Sequence, residues 1–207
     1  MRTATLAVVA LAYACGSSSP EVAPPPVPAA APGAPTAARP SIVATEQYYD
    51  IDGSSTGALR DQINRLGPKD ESGKSRDALT VWSIEWGYAA TSRPEGCVLR
   101  DVKVTLNVAI TLPRWEPQAT ASPEVVKAWQ SYVKAVRLHE AGHRTIAERN
   151  AREVFAALTP LRGMNCDLLS AEASRVAEQI VADGRARNRA YDVDTKHGQT
   201  QGVVLGP

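Results

Sequence analysis

The sequence predicts an α+β domain: a small antiparallel sheet packed on a short helix and on a long one, with a second helix returning antiparallel along the long helix. Three observations carry this. Apolar residues recur at period two in two stretches, Trp82, Ile84, Trp86 and Tyr88, then Val102, Val104, Leu106, Val108, Ile110 and Leu112, the pattern of strands with one buried face. From Glu124 to Thr159 the only helix breaker is Gly142, so the chain can run for about ten helical turns. After the short connection "LRGMNC" a second helical stretch, roughly Asp167 to Tyr191, can only fold back against the first.

Taken in order, residues 1–15, "MRTATLAVVALAYAC", place one Arg before a short apolar run and end in small residues, the layout of an export signal and too short to span a bilayer. The "AYA" before Cys15 and the "GSSSP" after it resemble a bacterial lipoprotein signal with Cys15 as the lipidated residue, although Ala12 stands where Leu is usual. Simple cleavage and secretion is the other reading. Residues 16–40 are rich in Pro and Ala and have almost no large apolar side chain, which predicts an extended spacer rather than a core. Residues 41–207 then suffice for one domain, with no second linker to divide them.

Within that domain, "EQYYDIDGSS" reads as a short strand ended by Gly53, and "STGALRDQINRLGPK" as a helix stopped by Gly67 and Pro68. The two alternating stretches are antiparallel neighbours joined by "ATSRPEGC", a connection that suits a loop longer than a tight turn. Ser122 caps the long helix, Pro123 takes its first position and Glu124 faces the positive end of its dipole. Val176, Ile180 and Val181 form part of the buried side of the last helix. Beyond Cys15 the only cysteines are Cys97 and Cys166, and an even pair in an exported chain reads as a disulfide, here closing a loop of about seventy residues.

A net charge of +1 without a basic cluster gives no support for a nucleic-acid partner, and leaves a lipid anchor as the only suggested tie to a membrane. The chemistry concentrates in "LHEAGH". His139 and His143, four residues apart, lie on one helix face and can direct two imidazoles at one zinc ion, while Glu140, one step round, is placed to take a proton from an activated water, as in HExxH metallopeptidases. The bland alternative pairs Glu140 with Arg144 and Glu148 with Arg152 on a solvated helix. Against it, Tyr132, Val136, His139, His143, Ile146 and Asn150 follow the inward stripe.

The chain's one other histidine, His197 in "YDVDTKHG", comes within reach if the two helices turn about Gly163, and is the first choice for a third ligand. Asp192 and Asp194 come next, then Glu178 and Asp183, while Tyr191 is a candidate to hydrogen-bond an oxyanion. The metzincin pattern is excluded because Ile146 and Arg149 occupy its glycine and third-histidine positions.

"YYDIDG" ahead of "LRDQINRLGPK", then "VWSIEWGY", "GCVLRDVKVTLNVAITLPRW", "HEAGH", Cys166 and "YDVDTKHG" together resemble a bacterial family catalogued as domain of unknown function nine hundred and twenty-two and described as predicted secreted zinc-dependent proteases. The resemblance spans about Gln47 to Gly198. It implies a zincin-like fold, zinc on His139 and His143, Glu140 as the catalytic residue, His197 or a neighbouring Asp completing the site, and a Cys97–Cys166 bridge. The expectation is therefore an exported zinc metallopeptidase with a protein or peptide substrate, periplasmic or surface-bound as a lipoprotein, or secreted. The competing expectations are a zinc-binding or structural envelope lipoprotein without turnover, and a metal-dependent hydrolase of cell-wall peptide.

Overall fold

A computed structural model describes residues 39–117 and 120–206. The export signal, Cys15 and all but the last two residues of the 16–40 spacer lie outside the described residues. The chain order is β1 (Ser41–Ile51), α1 (Thr56–Leu66), β2 (Leu79–Arg93), β3 (Gly96–Trp115), α2 (Pro123–Leu158), the two-residue β4 (Arg162–Gly163) and α3 (Cys166–Thr195), followed by a 3-10 turn at Gln199–Gln201. The α+β class is as the periodicities predicted.

The sheet is mixed rather than wholly antiparallel. Its order is β1-β3-β2, with β4 pairing one end of β3. β2 and β3 form the expected antiparallel hairpin, but β1 lies parallel to β3 along all eleven of its residues, from Ser41 opposite Thr105 to Ile51 opposite Trp115. The physical reason is the crossover through α1, which carries the chain from the end of β1 to the far edge of the sheet, so that the hairpin returns β3 between β1 and β2. The hairpin is also tighter than its sequence suggested. Arg93 pairs with Gly96, leaving Pro94 and Glu95 as a two-residue turn.

β3 is the central strand, and its even-numbered residues Val104, Leu106, Val108, Ile110 and Leu112 are all buried. They face α2, whose start uses the cap read from sequence: the Ser122 hydroxyl accepts from the Val125 amide, with Pro123 in the first turn. α3 packs on α2 through a seam of small residues, Ala173, Ala177 and Gly184, together with Leu169; of the three residues expected on its buried side, Ile180 and Val181 pack half-buried against the core, while Val176 is half-buried outside it. At Gly184 a Cβ would run into the Asn150 side chain. Small side chains let the two backbones approach closely, and that closeness sets the level at which polar groups on the two helices meet. Cys97 at the start of β3 is bonded to Cys166, the first residue of α3, with a Cα–Cα distance of 5.2 Å. The bridge ties the sheet to the turn of the helix hairpin.

Candidate metal centre

The helical spacing of "HEAGH" places His139, Glu140 and His143 on the buried side of α2, each no more than 5% exposed. The bland ion pair does not form at Glu140. Arg144 binds Glu148 instead, at 2.8 Å, and Glu140 accepts a 2.6 Å hydrogen bond from the Thr80 hydroxyl on β2. Ile146, read as part of the inward stripe, is half-buried at its margin.

His139 Nε2 and His143 Nε2 lie 3.2 Å apart, and each is 3.3 Å from Asp192 Oδ1 on α3. These three residues are the one group of His, Cys, Asp or Glu side chains among the described residues whose donor atoms converge as a metal site requires. A tetrahedral zinc with donors 2.0–2.1 Å away holds those donors about 3.3–3.4 Å from one another. The three atoms already have that spacing, so the residues fit a small divalent cation with N2O ligation and at least one open position.

Both imidazoles are held from behind. His139 Nδ1 is 3.0 Å from Gln201 Oε1, and His143 Nδ1 is 2.9 Å from Asn188 Oδ1. Carbonyl oxygens only accept, so a proton on each Nδ1 leaves each Nε2 lone pair facing the centre. With both rings neutral, three lone pairs aimed at one point repel unless a positive charge, a metal cation or a further proton on an imidazole, lies between them. That convergence is the strongest physical argument for a cation.

The charges respond accordingly. Burial pushes the Glu140 carboxyl above its ordinary range, with the Thr80 hydrogen bond and the neighbouring imidazoles acting against it. Burial would also raise Asp192, but hydrogen bonds from His139 and His143 and the charges of His143 and His197 outweigh it and hold that carboxyl far below the usual range. Burial would depress His143, yet its bond to Asp192 and the charge of Glu140 raise it overall.

His197 is brought close but does not join the three converging donors. Its ring is half-exposed and its Nδ1 lies 3.2 Å from the same Asp192 Oδ1. A left-handed run at Lys196, His197 and Gly198 turns the chain sharply there, so that Gln201 comes back to His139. Asp192, ranked second in the sequence reading, thus occupies the third corner, and His197 braces it. Asp194, Glu178 and Asp183 are exposed and lie outside the group. Tyr191 stacks on His139 with centroids 5.1 Å apart, and its hydroxyl accepts from Gln201 Nε2. It lies against Gly142, where any Cβ would collide with it, and it does not line the cleft, so the oxyanion role has no geometric support. The same contact explains why Gly interrupts the long helix at the motif.

The histidine pair opens onto a cleft of about 590 Å3. Its lining includes the apolar Ala78, Leu79, Val203 and Leu205 and the charged Arg60, Lys74, Arg76, Asp70 and Asp77. Sequence reasoning missed Thr80, Asn188 and Gln201. One signal was present: Asn188 and Asp192 share the four-residue spacing of His139 and His143, which puts them on one face of α3.

The Cys97–Cys166 bridge points to an extracytoplasmic protein, since such bonds persist in oxidising compartments. Among the described residues no helix is long and apolar enough to cross a membrane. Comparison with curated proteins and with solved structures returned no match. A family described as "Bacterial protein of unknown function (DUF922)" matches residues 46–198, a span that contains all three converging donors, Glu140 and both bridged cysteines. The chain belongs to that family.

Proposed function

We propose that this protein is a zinc-dependent hydrolase of the cell envelope or its surroundings, and specifically a metallopeptidase, with His139, His143 and Asp192 as metal ligands and Glu140 as general base. The observation that carries the reading is the convergence of three donor atoms at tetrahedral spacing beside a buried carboxylate, at the base of an open cleft. Three protein ligands leave a coordination position free, the arrangement of catalytic rather than structural zinc. A zinc ion held there supplies Lewis acidity toward a carbonyl oxygen and makes water acidic enough to act as a nucleophile near neutral pH.

The rest is done by the chain's own side chains. Thr80 donates to Oε2 of Glu140, fixing the carboxylate and leaving Oε1 to take a proton from the attacking water and pass it to the leaving amine. Asn188 and Gln201 hold the two imidazoles in orientation, and His197 steadies Asp192. The apolar side chains of Ala78, Leu79, Val203 and Leu205 in the cleft lining offer surface to uncharged peptide side chains. Tethering through Cys15 would place this cleft at the envelope surface.

The test uses the purified full chain, with zinc content and cleavage of a broad peptide library as readouts. The wild type is expected to hold one zinc and cleave; Glu140→Gln is expected to keep the zinc and lose a factor of about 10² to 10⁴ in rate. Absence of stoichiometric zinc in the wild type overturns the metal centre. Zinc without cleavage of any peptide replaces the enzyme with a metal-binding envelope protein.

A further inference from the structure

A histidine binds a metal through the ring nitrogen that carries no proton, so which nitrogen is protonated decides whether the ring is ready to bind. At His143 three side chains settle the matter. The Trp82 indole N–H can only donate, and it donates to Asn188 Oδ1 at 3.4 Å. The atom Asn188 presents there is therefore its carbonyl oxygen, with the amide nitrogen turned away. That same oxygen lies 2.9 Å from His143 Nδ1. Two hydrogen-bond acceptors cannot satisfy each other at that distance, so Nδ1 carries a proton, and in the neutral ring Nε2 faces Asp192 Oδ1 and His139 Nε2 with its lone pair.

We infer that Trp82 is a positioning residue which, through Asn188, locks His143 in the Nδ1–H tautomer that a metal ligand needs. Free imidazole side chains favour the opposite tautomer, so the lock has a preference to overcome. Trp82 itself touches no metal-ligating atom. It stands on β2 two residues beyond Thr80, on the same face of the strand, so alternate side chains of one edge strand hold the base Glu140 and orient the ligand His143.

His139 provides the contrast within the molecule. Its Nδ1 meets Gln201 Oε1, but Gln201 is held in turn by the Tyr191 hydroxyl, which both donates and accepts. Nothing donor-only fixes that amide, so the effect of Trp82 should be confined to His143. The tautomer assignment stands independently of any hydrolysis; only its consequence for metal affinity rests on the metal-centre reading above.

The experiment records long-range ¹H–¹⁵N correlations of the imidazole rings in the metal-free full chain, at a pH where both rings are neutral, and measures zinc affinity by competition with a chelator. The wild type is expected to show His143 as Nδ1–H. Trp82→Phe should move His143 toward the Nε2–H form, leave His139 unchanged, and weaken zinc binding by roughly 10- to 100-fold, the usual effect of losing a ligand's supporting partner. Asn188→Leu should do the same, whereas Asn188→Asp, which still accepts from both neighbours, should keep the Nδ1–H form. That rescue is not expected if Asn188 merely fills space. An Nε2–H signature in the wild type, or an unaltered His143 spectrum in folded Trp82→Phe, overturns the inference. If the wild type binds zinc but cleaves nothing, the hydrolase reading fails and this one stands. Should Trp82→Phe not fold, the Asn188 pair decides.

Discussion

The two ends of the α2–α3 hairpin are closed in opposite ways. At the turn, Ala147, Ala151, Val154 and Leu158 of α2 meet Leu169, Ala173 and Ala177 of α3, all nearly inaccessible, and a disulfide fixes the first residue of α3 to the sheet. Apolar burial of this kind is non-directional and needs no further component. At the other end the buried groups are His139, Glu140 and His143, facing Asp192, Asn188 and the returning Gln201. There the packing is set by hydrogen bonds, and the converging groups at the centre favour closure only with a positive charge, a cation or a proton, between them. One end is a stable scaffold, and the other is a site that the scaffold holds in shape.

The largest effect that tests this contrast comes from removing a ligand. His143→Ala is expected to weaken zinc binding by more than the roughly 10- to 100-fold attached to a supporting partner, and to abolish hydrolysis. Amide exchange should rise around residues 139–143 and 188–201 while protection at 147–158 and 169–177 stays as in the wild type. Uniform loss of protection along both helices would show that the two ends are one cooperative unit.

Replacing both Cys97 and Cys166 by Ser attacks the opposite end. The bridge spans a sequence separation of 69, and loop-closure entropy gives a cost on the order of 4 kcal/mol, read as a lower urea midpoint. Zinc affinity of the folded variant should be unchanged. A parallel fall in zinc affinity would mean that the bridge also positions the metal ligands.

The scaffold was far more legible in the sequence than the site. Period-two runs in β2 and β3 and the long unbroken helix follow from burial of one face, which each segment announces by itself. The parallel placement of β1 does not, because nothing within Ser41–Ile51 records which neighbour it will meet. At the site, the motif and its inward face could be read from α2 alone, but the third corner depended on the register between two helices. Taking Gly163 as the centre of the turn put Asp183 to Arg187 level with the histidines. The contacts of His143 with Asn188 and of His139 with Asp192 instead centre the hairpin between Asn165 and Cys166. The connection is no simple turn, because β4 pairs with β3 within it and α3 begins at the bridged Cys166; its midpoint therefore does not set the register, and Asp192 enters the site while His197 lies beyond it. Thr80 and Gln201 enter from separate elements and had no local signal.

The smallest effect concerns pH, and it separates the two ends without touching a metal ligand. Beside the site, the Tyr132 hydroxyl donates to Asp77 Oδ2 at 2.8 Å and the Tyr49 hydroxyl to the Asp77 carbonyl at 2.6 Å, while Arg60 pairs with Asp77. Burial first, and the Asp77 charge second, raise both phenols above their ordinary pKa near 10, with Arg60 opposing. In the folded state each keeps its proton at a pH where the unfolded chain has lost it. By linkage, their contribution is complete below about pH 10 and declines as pH climbs from there toward the folded values. The urea midpoint should therefore fall on the alkaline side, and Tyr132→Phe should reduce stability at neutral pH by about 1–3 kcal/mol but flatten the alkaline decline. Because residues 147–158 of α2 include no phenol, exchange near residues 60–80 and 132 should rise at high pH before exchange at 147–158 does. Equal alkaline slopes for wild type and Tyr132→Phe would remove this knot from the account of how the open end is held.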